Sequence, residues 1–143
     1  MRSVTIALHA PVDAALAAFG PTQESRWAPT WAPRVLSTTG PSEDPDSAVF
    51  ETGPDSQPTI WALSQHDRQN HRIQYVNVQP GALVTVIEVT CVPTGPAETL
   101  ATITYRRTAL RTTFNSAVED FARHFTSQAD HWQAAMNAYL EHR

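Results

Sequence analysis

The last thirty residues, from Phe114 to Arg143, constrain the fold of this chain most strongly. No Pro or Gly occurs in this stretch, and its apolar side chains recur at the three- and four-residue spacing of an amphipathic helix. The apolar face contains Val118, Phe121, Phe125, Ala129, Trp132, Met136, Tyr139 and Leu140, and the opposite face contains Glu119, Arg123, Asp130, Asn137 and Glu141. Ser116, followed three residues later by Glu119, is typical of a capping box and predicts that the helix begins there.

The residues before this helix alternate between β-type runs and strong turn signals. The predicted strands cover residues 3–9, 35–39, 48–52, 59–66, 71–79, 82–92 and 99–110. Their connections are too short for parallel crossovers, so neighbouring strands are expected to pair antiparallel. Residues 11–20 predict a short helix with Pro11 at its first position and Gly20 as its stop. The Pro- and Trp-rich segment 21–33 predicts a second short helix or a structured loop.

These patterns predict an α+β fold in which a curved, seven-stranded antiparallel sheet grips the long C-terminal helix on its concave face. Two short helices follow the first strand. A length of 143 residues suits one domain, and we expect residues 1–143 to form it.

Particular residues strengthen this interpretation. The stretch after the first helix contains Phe19-Gly-Pro21, Glu24, Trp27, Trp31 and Pro33, and the segment before the long helix reads Tyr105-Arg-Arg-Thr-Ala-Leu110. Together with the order of the elements, they resemble bacterial members of the START-like, helix-grip superfamily (SRPBCC), which includes polyketide cyclases, birch-pollen-allergen proteins and lipid-transfer domains.

The resemblance implies a cavity between sheet and helix that binds a small hydrophobic molecule, such as a lipid, a polyketide or an aromatic compound. Two alternatives stay open. The chain could be a polyketide aromatase/cyclase-like or hydrolase-like enzyme that uses the same cavity, or a chaperone-activator-like interaction module with a filled core. The superfamily has no short catalytic motif, so the resemblance assigns no catalytic residue.

Strand alternation predicts which side chains face inward. In the last two strands the apolar sets stand at odd-numbered positions, namely Leu83, Thr85, Ile87, Val89, Cys91, Ala101, Ile103 and Tyr105. A two-residue turn at Pro80-Gly81 would then point Arg72 and Gln74 inward. Across the next hairpin, the apolar face contains Trp61, Leu63 and Gln65.

Combining the inward faces predicts the residues that bind the ligand. They are Trp27, Trp31, Trp61, Arg72, Gln74, Tyr105, Phe121, Phe125, Trp132 and Met136. Aromatic walls with a few polar groups are typical of small-molecule sites. Glu24, His66, Arg72 and Tyr105 are residue types that could support acid–base chemistry if they converged in a dry pocket.

Charge and composition exclude several other classes of function. The net charge is −4 and the chain contains no Lys and no basic run, so no nucleic acid partner is expected. No apolar run is long enough to span a membrane, and the N-terminus lacks the apolar stretch of a signal peptide, which predicts a cytoplasmic protein without membrane insertion. The six His residues and Cys91 show no zinc-site spacing. We therefore expect no metal and no cofactor, and a monomer or homodimer.

Overall fold

The computed structural model describes residues 1–24, 26–28, 32–38 and 48–142, and at positions 21, 22, 35, 37, 38 and 48 it describes the backbone alone. Trp31, one of the predicted ligand-binding residues, lies outside the described residues. The elements, in order, are β1 (Arg2–Leu8), α1 (Val12–Ala17), α2 (Pro21–Glu24), β2 (Arg34–Thr38), β3 (Ala48–Thr52), β4 (Thr59–Asp67), β5 (Arg72–Gln79), β6 (Leu83–Gly95), β7 (Glu98–Ala109), a 3-10 turn (Thr112–Phe114) and α3 (Asn115–Glu141).

The described strands form one antiparallel sheet in the order β1-β7-β6-β5-β4-β3-β2. The first strand therefore pairs with the last, while each remaining strand pairs with its neighbour along the chain. This arrangement confirms the predicted α+β class, with a curved antiparallel sheet and a long C-terminal helix. The face of the sheet that carries the buried side chains is called the inner face below.

Helix α3 packs with the face that its apolar periodicity predicts. Phe125, Ala129, Met136 and Leu140 are buried, and Trp132 with the other apolar residues of this face is half-buried. The predicted start is wrong: α3 begins at Asn115, and no side chain caps it. A capping box at Ser116 does not form because the preceding 3-10 turn leads directly into the helix.

One polar face of α3 closes an edge of the sheet. Strand β1 is an edge strand, so the backbone groups on its outer side have no strand partner. The Ala7 N–H donates to Gln133 Oε1 at 2.9 Å, the His9 N–H donates to Asn137 Oδ1 at 2.8 Å, and Asn137 Nδ2 donates to the Ala7 carbonyl at 3.0 Å. The prediction that Asn137 faces away from the sheet is therefore wrong, because its amide continues the pairing of the edge strand.

Removing this amide should destabilise the protein. Asn137→Ala deletes two hydrogen bonds to β1, and we expect the free energy of unfolding to fall by about 1–3 kcal/mol. Gln133→Ala deletes one such bond and should lower the free energy of unfolding by about half as much. Urea unfolding followed by circular dichroism measures both. The exposed substitution Asp130→Ala on the same helix is the control, and equal values for Asn137→Ala and Asp130→Ala would contradict the assignment.

The β5–β6 turn decides which side chains of β5 face inward. Gln79 pairs with Leu83, so three residues, not two, connect the strands. Gly81 adopts a φ of 74°, the left-handed conformation that a three-residue hairpin requires and that glycine adopts without strain. Because one extra residue moves every side chain of the strand to the opposite face, Ile73, Tyr75 and Asn77 are buried on the inner face.

The predicted inward orientation of Arg72 and Gln74 is consequently wrong. Arg72 forms an ion pair with Glu88 on the outer face, and Gln74 Oε1 accepts a hydrogen bond from Ser64 Oγ at 3.2 Å. A bulge in β4 after Leu63 places Gln65 opposite Gln74, so Gln65 also departs from its predicted face. Before this bulge, Trp61 and Leu63 pack against the core as predicted.

Candidate functional site

A cavity of about 230 Å³ lies between the inner face of the sheet, the segment that follows α1, and α3. Its lining residues are Phe19, Glu24, Trp27, Ala28, Trp61, Tyr75, Ile87, Val89, Ile103, Tyr105 and Trp132. Six of these eleven side chains are aromatic, four are aliphatic and one is a carboxylic acid. The walls are therefore apolar with a single acidic group, a composition typical of a small-molecule site.

Buried hydrogen bonds hold the segment after α1 over the cavity. Trp27 Nε1 donates to the Ala18 carbonyl at 2.7 Å, and the Tyr75 hydroxyl on β5 donates to the Phe19 carbonyl at 2.8 Å. The Tyr139 hydroxyl on α3 donates to Gln23 Oε1 at 2.6 Å. These bonds connect the segment to both the sheet and the helix, and they position the adjacent Glu24 at the cavity.

Two aromatic clusters form the remaining walls. On the β3–β4 side, the Trp61 ring stacks on Phe50 with centroids 5.7 Å apart, and Trp61 Nε1 donates to Thr52 Oγ1 at 2.9 Å. On the α3 side, the Tyr105 ring stacks on Trp132 at 6.0 Å. The centroid of the Tyr105 ring also lies 5.0 Å from that of Phe121 and 5.1 Å from that of Phe125.

Burial keeps the ionisable groups of the cavity uncharged near neutral pH. Desolvation raises the pKa of Glu24 from 4.5 to about 8, and no residue that the structure describes forms an ion pair or side-chain hydrogen bond with its carboxyl group. Burial also raises the pKa of Tyr105 strongly, and the negative charge of Glu24 raises it further. Glu24 and Tyr105 are therefore two electrostatically coupled titratable groups of the described lining.

A row of polar side chains borders the aromatic cavity on the inner face. Asn77 on β5, Thr85 on β6 and Arg107 on β7 are cross-strand neighbours. Asn77 Oδ1, Thr85 Oγ1 and Arg107 Nε are buried and have no hydrogen-bond partner within the described ranges. The Arg107 guanidinium carbon lies 3.9 Å from the centre of the Phe121 ring. Partial burial lowers the pKa of Arg107. Each residue of this row lies two positions along its strand from a member of the neighbouring row, which consists of Tyr75, Ile87 and Tyr105.

The structure brings together some of the predicted ligand-binding residues. Trp27, Trp61, Tyr105 and Trp132 line the cavity, and their role in binding stays a prediction. Phe121, Phe125 and Met136 belong to the surrounding packing, with Phe125 and Met136 fully buried. Arg72 and Gln74 lie on the outer face.

The acid–base candidates also divide into residues that line the cavity and residues that do not. Glu24 and Tyr105 meet at the cavity, whereas His66 and Arg72 are absent from its described lining. Cys91 is buried, and desolvation raises the pKa of its thiol to about 12. A thiol with that pKa stays protonated near neutral pH.

Several lining residues were missed by the analysis of the sequence. Tyr75 was placed on the outer face by the wrong turn length, and its neighbours Ile87, Val89 and Ile103 were assigned inward without being chosen as site residues. Phe19 lies at the end of the predicted helix 11–20, and Ala28 belongs to the segment 21–33, whose conformation has no periodic signal. Glu24 is among the predicted acid–base candidates but not among the predicted ligand-binding residues.

Comparison with known proteins identifies the fold. No family model matches the sequence, and no curated protein matches it. Among solved structures, norcoclaurine synthase from Thalictrum flavum superposes with a TM-score of 0.68 at 10% identity, over 99% of this chain and 86% of the other. A START superfamily protein from Mycobacterium smegmatis superposes with a TM-score of 0.67 at 14% identity, over 98% and 96% of the two chains. This chain has the START-like, helix-grip fold.

An aromatase/cyclase shares the START-like fold to a similar degree. The Zhui aromatase/cyclase from Streptomyces sp. R1128 superposes with a TM-score of 0.67 at 16% identity, over 99% of this chain and 93% of the other. At these identities the likeness establishes the START-like fold alone. No helix in the described part of the chain is long and apolar enough to cross a membrane.

Proposed function

We propose that residues 1–143 form one START-like domain that binds a small hydrophobic molecule with an aromatic or similarly flat body. The observation that carries this proposal is the cavity itself, whose described lining consists of six aromatic side chains, four aliphatic side chains and Glu24. Transfer of apolar surface from water into such a cavity contributes about 25 cal/mol for each Å² that is buried. Ring stacking on Trp61 and Trp132 adds a preference for flat ligands.

The polar atoms of the walls support a binding role. Trp27 Nε1, Trp61 Nε1 and the Tyr75 hydroxyl are hydrogen-bonded within the protein. These side chains therefore present apolar ring surface to a ligand without leaving a donor unpaired. A filled core, as the interaction-module alternative requires, does not agree with a cavity of about 230 Å³.

Native mass spectrometry of the purified protein tests whether a ligand is retained. A matched pair of variants then tests the location, with 1-naphthalenemethanol as a neutral fluorescent probe. Ala28→Phe places a ring at the cavity wall and should weaken probe binding by about tenfold or more. Ala134→Phe makes the same change at an exposed position of α3 and should leave binding unchanged. Equal affinities for the wild type and Ala28→Phe would place the probe outside this cavity.

A second function, catalysis of an acid–base step as in polyketide aromatase/cyclases, is favoured by one observation. The carboxyl group of Glu24 has a pKa of about 8 and shares the cavity with the Tyr105 hydroxyl. An acid whose pKa lies near the working pH is well suited to donate and accept protons. In this function, Glu24 would transfer the proton and Tyr105 would donate a hydrogen bond to a ligand carbonyl.

A further inference from the structure

Among the residues that the structure describes, none forms a cationic partner for the acid in the cavity. Glu24 is the one acidic residue of the described lining, and no described Arg or His forms an ion pair with it. On β7, two residues beyond Tyr105, the Arg107 guanidinium instead lies on the Phe121 ring. Ionising a carboxyl group that is partly removed from water costs free energy unless the charge is compensated, so a cationic group in the cavity would stabilise ionised Glu24 in a way that the described residues do not.

The walls around Glu24 suit a particular partner. Trp27, Trp61, Tyr75, Tyr105 and Trp132 all contribute aromatic rings to the same cavity. The faces of such rings carry partial negative charge and attract cations, and organic ammonium groups are bound in this way by aromatic cages. An anionic ligand group would meet both the ring faces and the carboxylate unfavourably.

We propose that the ligand of this cavity is an organic cation, in which a protonated amine forms an ion pair with Glu24 while the apolar body packs against the aromatic rings. The inference rests on the proposed ligand-binding function and adds the chemical class of the ligand. Ionised Glu24 and the ammonium group compensate each other, and the ring faces of Trp27 and Trp61 replace part of the hydration of the amine.

Binding of an amine should depend on pH in a way that binding of a neutral compound does not. The other titratable groups of the described lining are Tyr75 on β5 and Tyr105 on β7, whereas α3 contributes Trp132, which does not titrate. With a pKa of about 8, the ionised fraction of Glu24 rises from about 1% near pH 6 to about one half near pH 8. If the amine binds the ionised form, its affinity should increase about fiftyfold over that range.

Three probes that share one ring system test the proposal: 1-naphthylmethylamine, 1-naphthalenemethanol and 1-naphthoate. Isothermal titration calorimetry near pH 6, 7 and 8 is expected to show that the amine binds most tightly and gains affinity with pH. The enthalpy of amine binding near pH 7 should vary with the ionisation enthalpy of the buffer, because a proton leaves Glu24. Glu24→Gln should remove the pH dependence and weaken amine binding about tenfold or more, and Glu98→Gln, an exposed acid on β7, should change neither.

The outcomes distinguish a failure of the organic-cation proposal from a failure of the proposed binding function. If 1-naphthalenemethanol and the amine bind equally well at all three pH values, the cation proposal is overturned while hydrophobic binding stands. Preferential binding of 1-naphthoate would overturn it as well. If none of the three probes binds, the proposed binding function itself fails. If Glu24→Gln melts far below the wild type, Glu24→Asp, which retains the charge, should keep the preference for the amine over the alcohol.

Discussion

Replacing Phe125 with alanine is expected to lower the free energy of unfolding by about 3–5 kcal/mol, the usual cost of deleting a buried phenylalanine ring. The side chain is 2% exposed and its ring centroid lies 5.1 Å from that of Tyr105, 5.3 Å from that of Phe121 and 5.7 Å from that of Trp132. The substitution therefore leaves a void where α3 meets β7. Guanidinium unfolding measured by tryptophan fluorescence and by circular dichroism gives the value.

The helix itself supplies the controls for this substitution. Thr126 is exposed and adjacent, so Thr126→Ala should change stability by less than about 0.5 kcal/mol. Phe125→Leu retains part of the buried volume, so its loss of stability should lie between those of Phe125→Ala and Thr126→Ala. Because Phe125 supports the rings of Tyr105 and Trp132, Phe125→Ala should also weaken binding of 1-naphthalenemethanol. A loss of stability below about 1 kcal/mol would mean that α3 does not pack on the inner face at this point.

The stability of the protein is expected to fall as the pH rises from about 5 to about 8, and Glu24 should cause most of the change. Burial raises the pKa of Glu24 in the folded state to about 8, whereas an unfolded chain titrates near 4.5. Between these values the folded state holds a proton that the unfolded state has lost, so each step upward in pH favours unfolding. The full difference corresponds to a loss on the order of 5 kcal/mol, most of it reached near pH 8 and the rest above that pH.

Urea unfolding of the wild type and Glu24→Gln at several pH values isolates this effect. The variant has no proton to lose at this position, so its stability should match the wild type near pH 5 and exceed it near pH 8. His9 has a raised pKa because it is hydrogen-bonded to Glu141, and it contributes a decline in the same direction to both proteins. Parallel pH profiles for the two proteins would show that Glu24 is solvated in the folded state.

Part of the candidate site follows from local patterns. The 3.6-residue periodicity of the C-terminal stretch identified Phe125 and Trp132 as members of one buried face, and alternation placed Tyr105 on the inner face. Such patterns report which side chains of one element share a face, and that property depends only on the geometry of the helix or strand itself. The aromatic character of the cavity could therefore be predicted before its shape was known.

The polar groups of the site depended on details that periodicity does not carry. One additional residue in the β5–β6 turn, Ala82, moved Arg72 and Gln74 to the outer face and Tyr75 to the inner face. A bulge in β4 after Leu63 shifted the register again. Turn lengths and bulges change which face a whole strand presents, and neither has a strong signature in the amino acids involved.

The sequence by itself determined the class of fold, the buried face of α3 and the aromatic composition of the interior, because each follows from the spacing of apolar residues along single elements. Only the tertiary structure decided that the Asn137 amide closes the edge strand and that Glu24 lies among aromatic rings with no ion-pair partner in the described part of the chain. Both properties arise from contacts between residues far apart in the chain. The raised pKa of Glu24 is also a property of the folded chain, since burial within the fold reduces the hydration of its carboxyl group.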